Sequence, residues 1–263
     1  MKKEILQAKQ LEQQYLIDDD VWKFQKGLQK LGFKDIPDYH RQITIYGHCN
    51  RTLIPFHPDY ASEVFPMIEK CIKSGEDFFG WIIYKEMTVY LPNKKRCDEF
   101  LYMDKVKEYN ISVGEHFGEH GAFLIFPGNF GIMILLQPPA NMILMDETLR
   151  RIVMKVLKEK YDIDTEEKHN DLMCQGLKIW GTTHGGTGGV IIVCGAMNIN
   201  LEEEMINQIV RVREGHPVVK QGVSLNELTG KEINAKEVVK AIAEEWLKAT
   251  NSRMADDLWQ TRL

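Results

Sequence analysis

The segment over residues 170–189 decides the fold and reads NDLMCQGLKIWGTTHGGTGG. Short apolar runs flank the dipeptide Gln175-Gly176, and such a dipeptide between strand-like runs is typical of a tight turn. We therefore predict a β-hairpin over 170–181. Four glycines follow in the next eight residues, and this composition predicts a glycine-rich loop over 182–189.

Hydrophobic spacing on both sides of this segment predicts further strands and helices. The predicted strands are 43–47, 80–86, 87–91, 110–113, two strands around Pro127-Gly128-Asn129 within 121–137, and 189–199. The predicted helices are 59–74, 98–108, 145–160, 202–212 and 234–249. Because the strands pair locally and helices flank them, the pattern predicts an α/β (α+β) sandwich with a mixed, mainly antiparallel sheet. We expect one sheet to contain the strands within 80–91, 110–137, 170–181 and 189–199.

The composition excludes several classes of protein. The 263 residues are 44% hydrophobic and 27% charged, which is ordinary for a globular chain, and the net charge of −5 argues against a nucleic-acid binder. Five cysteines without a CxxC pair argue against a disulfide framework or a structural zinc site. No apolar signal core or membrane-length apolar run occurs, so we expect a cytoplasmic protein that does not interact with membranes.

The spacing of apolar residues also suggests how the chain is divided. Residues 1–50 are polar with apolar positions at helical spacing, and we predict an N-terminal helical extension there. Residues 51–263 then form the main domain, which contains every motif that could carry chemistry.

Lys178 is the first candidate functional residue. It lies between apolar strand residues just before the glycine-rich segment. A lysine in this position can enter a site as a fixed positive charge, but an exposed strand lysine has the same local sequence. The glycines do not form a P-loop, because no Gly-Lys-Ser/Thr follows them. From the residues alone, both interpretations of Lys178 stay open.

The order of these motifs resembles the lipoate- and biotin-protein ligase family. The family pattern is Asn-Asp, a short hairpin and Lys-Ile-x-Gly, and the matching residues are Asn170, Asp171, Lys178, Ile179 and Gly181. The resemblance is collinear over about residues 55–250, from the helix and strands in YASEVFPMIEK…TVYLP to the last helix in GVSLNELTGKEINAKEVVKAIAEEW. It implies a class II aminoacyl-tRNA synthetase/biotin-protein ligase-like sandwich.

The resemblance also implies an activity for the main domain. In the family, ATP activates a lipoate- or biotin-like carboxylic acid as an acyl-adenylate, which is transferred to a lysine amine of a lipoyl- or biotinyl-acceptor domain protein. By this resemblance Lys178 is catalytic and contacts the carboxylate and the α-phosphate. Asn170 contacts phosphate, and Asp171 holds Mg²⁺ or the target amine. The implied cofactors are ATP and Mg, and the other expected ligand-binding residues in this part of the chain are Gly181, His184 and Gly188.

The family's ligand loop is the main departure. The family sequence is Arg-Arg-x-x-Gly-Gly-Gly-Ala-Val, whereas residues 115–123 read EHFGEHGAF. Only Gly121 and Ala122 match, and the change from two arginines to acidic residues and histidine should weaken ATP binding. We expect residues 114–121 and 182–189 to face each other across one pocket, in which His116 and His120 contact the ligand. The His-x-x-Glu-His string could hold a metal only on a helix, which the glycines disfavour.

Two alternatives to the ligase remain. One is a non-catalytic member of the fold that binds a ligand or a partner, as the missing arginines suggest. The other is an ATP-independent octanoyl or lipoyl acyltransferase that uses a cysteine thiol. Neither Cys174 nor Cys194 matches the position of that thiol in the related transferases, and Cys194 lies in an apolar strand as a small core residue would.

Overall fold

The computed structural model describes residues 50–59, 63–91, 97–115, 123–168, 170–187, 189–211 and 222–255. The strands in these parts are β1 Thr52–Phe56, β2 Asp77–Ile83, β3 Thr88–Leu91, β4 Ser112–Glu115, β5 Phe123–Ile125, β6 Phe130–Leu136, β7 Glu166–Lys168, β8 Asp171–Cys174, β9 Leu177–Thr187, β10 Val190–Met197 and β11 Arg253–Met254. The helices are α1 Val64–Ser74, α2 Cys97–Phe100, α3 Met103–Glu108, α4 Met142–Tyr161, α5 Glu203–Ile209, α6 Leu225–Thr229 and α7 Ala235–Thr250. The predicted strand over 43–47 and the predicted extension, apart from Asn50, lie outside the described residues.

Two sheets form the core of the architecture. The large sheet has the strand order β11-β1-β2-β6-β10-β9-β8-β7, and the small sheet has the order β4-β3-β5. In the large sheet β1 pairs in parallel with β2 and β11, and all other neighbours are antiparallel. The predicted mixed, mainly antiparallel sandwich is therefore confirmed, but the strands within 88–91, 112–115 and 123–125 belong to a second sheet rather than to the predicted single one.

Three apolar clusters show how the layers stack. The first joins one face of the large sheet to helices α4 and α7, with Leu149 and Trp246 at its centre. The second joins the opposite face to α1 and to the small sheet, through residues such as Ile68 and Tyr90. The third packs the far side of the small sheet against α3 and α5. Each face of the large sheet is thus covered by a different layer, which we call the α4 face and the small-sheet face.

Local sequence explains where the longest helices begin and end. The Asn141 side chain accepts a hydrogen bond from the backbone N–H of Leu144 at the start of α4, and α4 ends at Asp162, whose φ is 54°. Asn234 caps α7 in the same way, and Asn251 ends it with φ 48°. Asparagine and aspartate fit both ends, because their side chains accept hydrogen bonds and they tolerate the left-handed conformation.

Several predicted boundaries are wrong. The helix predicted over 59–74 begins at Val64, so Pro66 lies in its first turn, where proline is tolerated. The helix predicted over 98–108 is two helices, because Leu101 between them forms a β-bridge with Val210. The loop predicted over 182–189 is strand as far as Thr187. The structure also adds strands β1, β7 and β11 and the short helix α6, none of which was predicted.

Two global expectations concern membranes and disulfides. Among the helices of the described segments, none is both long and apolar enough to cross a bilayer. Four cysteines lie in these segments, namely Cys71, Cys97, Cys174 and Cys194, and all four are free thiols. This agrees with the expectation that no disulfide framework supports the fold.

Candidate functional site

The β8–β9 hairpin carries Lys178 and Asp171. Its two-residue turn is formed by Gln175 with φ 52° and Gly176 with φ 77°, which is the positive-φ pair that a tight hairpin requires. The predicted hairpin is therefore confirmed. The register of the β8–β9 pairing then shifts by one residue, since Met173 pairs with Lys178 but Leu172 pairs with Trp180.

Ile179 is thus the extra residue of a β-bulge, and the bulge changes which side chains share a face. Ile179 and Trp180 are consecutive, yet both belong to the cluster on the α4 face. Because of the bulge, the Lys178 side chain lies on the opposite, small-sheet face, together with Gly181. A regular strand would have placed Lys178 and Trp180 on the same face.

The Lys178 ammonium lies flat across the strand on top of Gly181. Its Nζ is 2.8 Å from Asp171 Oδ1. A Cβ added to Gly181 would stand 2.7 Å from Lys178 Nζ and 3.1 Å from Asp171 Oδ1. Only glycine leaves space for this ion pair, which gives a physical reason for the Lys-Ile-x-Gly spacing. Ile179 is the extra residue of the bulge, and Gly181 forms the surface, here called the glycine floor, on which the two charged side chains lie. The two charged residues of the family pattern, Lys178 and Asp171, are thus in direct contact.

The backbone at Lys178 is held by a third segment of the chain. The Lys178 carbonyl accepts hydrogen bonds from the Val223 N–H at 2.9 Å and from the Asn198 side-chain amide at 3.2 Å. The Ile179 carbonyl accepts a hydrogen bond from the Asn198 N–H at 3.0 Å. These contacts satisfy the carbonyls that the bulge takes out of the β8 ladder, so they fix the direction from which the lysine side chain projects.

The register of the large sheet places the ion pair at one end of a row of small residues. The row consists of Gly131, Ala196 and Gly181, and the same line of directly paired residues continues beyond Gly181 to Asp171 and Lys168. Lys168 is exposed at the edge of the sheet. This second lysine was not singled out from the sequence, because no local pattern shows that β7 returns beside β8.

The ion pair is accessible. The side chains of Lys178 and Asp171 are 43% and 33% exposed, so water covers part of the ammonium. An ammonium has three hydrogens to donate, and Asp171 takes one of them. The remaining two can contact an anion that arrives on the small-sheet face.

His184 lies on the other face of the same strand. It pairs with Val193, whose side chain belongs to the cluster on the α4 face. His184 Nδ1 is 3.4 Å from Asp146 Oδ2, and Asp146 also forms an ion pair with Arg150. The structure therefore does not bring His184 to Lys178, although both were expected at one ligand site. The two residues are six positions apart, which on a regular strand would put them on the same face, and the bulge at Ile179 puts them on opposite faces.

Tyr84, Tyr90 and Cys194 form a polar group on the small-sheet face. The two tyrosine hydroxyls are 3.5 Å apart, and the Tyr84 hydroxyl lies over Gly131 at the end of the row of small residues. Burial raises the pKa of Tyr90 to about 12, raises the pKa of Tyr84 well above its ordinary value, and raises the pKa of the Cys194 thiol to about 12. All three groups are thus neutral at physiological pH.

Other predicted site residues contribute differently or are not described. Asn170 uses its backbone carbonyl, which accepts hydrogen bonds from the Thr182 N–H at 3.1 Å and the Thr182 hydroxyl at 2.7 Å. Its predicted contact with phosphate stays a prediction. The remaining predicted ligand residues lie outside the described residues, so the predicted meeting of 114–121 with 182–189 stays a prediction too; they are Gly188, Gly121, Ala122, His116 and His120.

Metal binding was predicted only at Asp171. Within the described part of the chain, no group of three or more His, Cys, Asp or Glu side chains is arranged to hold a metal ion. A magnesium ion commonly takes only one or two protein carboxylates and completes its shell with phosphates and water. Asp171 is compatible with that arrangement, because its second carboxylate oxygen is not the one that contacts Lys178.

Comparison with solved structures finds the same fold in lipoate-protein ligases. A putative lipoate-protein ligase of Thermoplasma acidophilum, with lipoic acid bound, has a TM-score of 0.64 and 14% identity, over 79% of this chain and 89% of that chain. A lipoate-protein ligase A bound with ATP has a TM-score of 0.66 and 15% identity, over 79% and 88%. A bipartite ligase of Thermoplasma acidophilum, described with its E2 lipoyl domain, has a TM-score of 0.66 and 14% identity, over 80% and 87%.

The likeness to these structures supports the predicted fold class, a sandwich of the lipoate/biotin ligase and class II synthetase type. No sequence match was found among curated proteins. The family model for the lipoyl protein ligase A/B catalytic domain matches residues 88–247, which is more than half of the chain and includes the Lys178 hairpin. The chain belongs to the family of lipoyl protein ligase A/B catalytic domains.

Proposed function

We propose that this protein binds a small carboxylic acid at the Lys178–Asp171 pair, activates it with ATP as an acyl-adenylate, and transfers it to a lysine amine of an acceptor protein. The observation that carries the proposal is the accessible ammonium fixed over Gly181 in a member of this family. Lipoate- and biotin-like acids, and a lipoyl- or biotinyl-acceptor domain protein, are the substrates that the family resemblance suggests.

The geometry fits the electrostatic problem of this reaction. Attack of a carboxylate on a phosphate brings two anions together, and a fixed cation between them stabilises the crowded arrangement. Asp171 fixes the Lys178 ammonium in place, and the glycine floor keeps it low on the sheet. The two free donors of the ammonium can contact one oxygen of each anion. During the transfer step, Asp171 is placed to accept a hydrogen bond from the incoming amine.

ATP would supply the adenylyl group: the carboxylate attacks the α-phosphorus, pyrophosphate leaves, and the acid becomes a reactive acyl-adenylate. The lipoate-protein ligase A structure with bound ATP supports this part of the proposal. Residues 115–123 contain no arginine to contact the nucleotide's phosphates. Lys178 and Lys168 are the lysines at the same end of the row, and Asp171 is the carboxylate beside them that could share a magnesium ion with the phosphates.

The thiol-dependent acyltransferase fits less well. Its nucleophile is a thiolate, which requires a low thiol pKa. Burial raises the pKa of Cys194 to about 12 and also raises that of Cys174. Neither thiol therefore has the low pKa that attack on an acyl group requires. The free thiols also suit a reducing compartment, so we place the reaction in the cytoplasm.

A second candidate is a binding protein that keeps the acid site without adenylation. The acidic and histidine residues at 115–123, where the family has arginines, favour it. Both candidates use the Lys178–Asp171 pair to hold a carboxylate. They differ in whether the acid is activated when ATP is present.

Acid-dependent exchange of pyrophosphate into ATP separates the two candidates. We expect exchange by the wild-type chain with at least one acid from a panel that includes lipoate, biotin, octanoate and shorter acids. Lys178→Ala should reduce exchange by at least 100-fold, whereas Lys158→Ala, an ion-paired lysine on α4, should not change it. Exchange that survives in Lys178→Ala would refute the proposal, and acid binding without exchange would favour the binding protein.

A further inference from the structure

We propose that Lys168 contacts the phosphates of ATP and stabilises the pyrophosphate that leaves when the acid is activated. The assignment rests on the proposed function, because it takes ATP as the nucleotide that meets the acid at Lys178. Lys168 is not one of the residues of the family pattern. It places the phosphates on the side of Asp171 that is away from the glycine floor.

Lys168 projects from the small-sheet face, on which Lys178 contacts Asp171. Glu167, the preceding residue of β7, faces α4, because its carboxylate lies 3.7 Å from the Arg150 side chain. The residue of β8 that pairs with Glu167 also belongs to the cluster on the α4 face. Successive side chains of a strand point to opposite faces of the sheet. The Lys168 side chain therefore starts on the face that carries the accessible ion pair.

Lys168 is also next to this ion pair. It pairs directly with Asp171 across β7 and β8, and directly opposed residues of an antiparallel pair have Cβ atoms about 5 Å apart on the same face. Asp171 pairs in turn with Gly181, above which the Lys178 ammonium lies. Three adjacent strands thus carry a lysine, a carboxylate and a second lysine in one line, and the outer two strands are about 10 Å apart.

The charges in this line are not balanced. Asp171 contacts Lys178 at 2.8 Å, and no carboxylate among the described residues forms an ion pair with Lys168. Glu166 is the next residue of β7 on this face, and it is not such a partner either. Two lysines and one carboxylate leave one uncompensated positive charge, at an exposed position of a chain whose net charge is −5. An exposed cation of this kind attracts a polyanion.

The proposed reaction needs a second cation. The acid's carboxylate oxygen forms a bond to the α-phosphorus, the bond from that phosphorus to the bridging oxygen breaks, and the electron pair leaves with pyrophosphate. Negative charge therefore grows on the leaving group, and a fixed cation stabilises it. Residues 115–123 supply no arginine for this role, and Lys178 is engaged by the carboxylate and the α-phosphate. Lys168 donates hydrogen bonds to the leaving group as a charged ammonium, and no proton is transferred.

The two sides of the ion pair suit different ligands. Toward β10 the surface consists of Gly181 and Ala196, which pair directly and offer an apolar floor. Toward β7 the sheet ends at the exposed Lys168. The alkyl chain of an acid is stabilised over the first surface, and a multiply charged phosphate is stabilised beside the second. The acid and the nucleotide thus approach Lys178 from opposite sides.

The test measures the binding of Mg–ATP and of the acid separately, by calorimetric titration of the full chain. The acid is the one that the wild type binds most tightly among lipoate, biotin and octanoate. Lys168→Ala should weaken Mg–ATP by about tenfold or more, because a charge-assisted hydrogen bond is lost. The same variant should keep the acid affinity, measured without nucleotide, within about twofold.

Two further variants at the same position test the role of the charge. Lys168→Gln keeps a long polar side chain without the charge and should weaken Mg–ATP as much as Lys168→Ala does. Lys168→Arg should keep the Mg–ATP affinity within about threefold, because a guanidinium also donates charge-assisted hydrogen bonds to phosphate. In pyrophosphate exchange, Lys168→Ala should raise the KM for ATP and for pyrophosphate and leave the KM for the acid unchanged.

Two controls separate a direct contact from a change in net charge. Lys160→Ala removes an exposed lysine in the last turn of α4 and should leave both affinities unchanged. Glu166→Gln removes a charge from the same face of β7 and should not weaken Mg–ATP. An unchanged Mg–ATP affinity in both Lys168→Ala and Lys168→Gln would overturn the assignment. An equal loss of acid affinity in these variants would overturn it too, because Lys168 would then act by supporting the Lys178–Asp171 pair.

The outcomes also separate the role of Lys168 from the proposed function. If Mg–ATP binds through Lys168 but no acid supports exchange, the nucleotide contact stands and the activation of the acid fails. If exchange depends on Lys178 but neither the affinity nor the KM for ATP depends on Lys168, the acid site stands and the nucleotide contact fails. If the wild type binds no Mg–ATP, both fail.

Discussion

The ion pairs on the two faces of strand β9 differ in their exposure to solvent. On the small-sheet face, Lys178 and Asp171 are 43% and 33% exposed and lie over a glycine. On the α4 face, His184 approaches an ion pair between Asp146 and Arg150, whose side chains are only 2% and 8% exposed. Strand β9 therefore lies between one accessible ion pair and one enclosed ion pair of α4.

This difference separates a binding role from a structural one. Charges that are buried must be paired, because removing one partner leaves the other without solvation. Charges that are half exposed depend little on each other for stability, so an incoming anion can share the cation. We therefore propose that ligands contact the Lys178 face, and that the ion pair on the His184 face holds α4 against the sheet.

The largest expected effect is on stability. Asp146→Ala should lower the free energy of unfolding by about 3 kcal/mol, because among the described residues the buried Arg150 guanidinium then keeps only its longer ion pair with Glu167, at 3.7 Å. Asp171→Ala on the opposite face should change it by no more than about 1 kcal/mol. Urea denaturation monitored by circular dichroism measures both. Equal losses for the two variants would remove the distinction between the faces.

A smaller effect is expected on ligand affinity when the glycine floor is altered. Gly181→Ala introduces a Cβ that collides with Lys178 and Asp171, and the displaced ion pair should bind acid roughly tenfold more weakly. Gly185→Ala is the matched control on the same face of the same strand, since its added Cβ meets nothing within 4 Å. Calorimetric titration of both variants with one acid gives the comparison. An unchanged affinity in Gly181→Ala would show that the floor does not position the lysine.

The smallest effect is expected at Cys194. Because burial raises the pKa of its thiol to about 12, only about one thiol in ten thousand is ionised at pH 8, and the fraction rises tenfold with each pH unit. Iodoacetamide at pH 8 should leave Cys194 unmodified in the folded chain and modify it in urea, as read by peptide mass. Cys194→Ala should keep acid binding within about threefold. Rapid modification of the folded chain, or loss of function in the variant, would revive the thiol mechanism.

Local sequence was sufficient to predict the hairpin that carries Lys178 and Asp171. Gln175-Gly176 has few alternatives to a tight turn, and the hairpin brings Asp171 across from Gly181 without help from distant residues. The bulge at Ile179 could not be predicted in the same way. It is supported by Asn198 and Val223, which lie 19 and 44 residues further along the chain than Ile179.

The glycine-rich segment was misjudged for a related reason. Glycines contribute no side-chain pattern, so residues 182–187 looked like a loop, whereas β10 pairs with them along their whole length. The division into two sheets was also hidden, because a period of two shows that a strand has two faces but not which sheet it joins. The Pro127-Gly128-Asn129 turn was predicted, yet it connects two sheets rather than two paired strands.

The most direct test of the account is a crystal structure of the chain with the acid that binds it most tightly. We predict that one carboxylate oxygen lies within about 3 Å of Lys178 Nζ, on the face of the large sheet that carries Gly181, with the acid's chain running over Ala196. An acid bound on the α4 face beside His184, or bound with its carboxylate away from Lys178, would contradict the assignment of the ligand site.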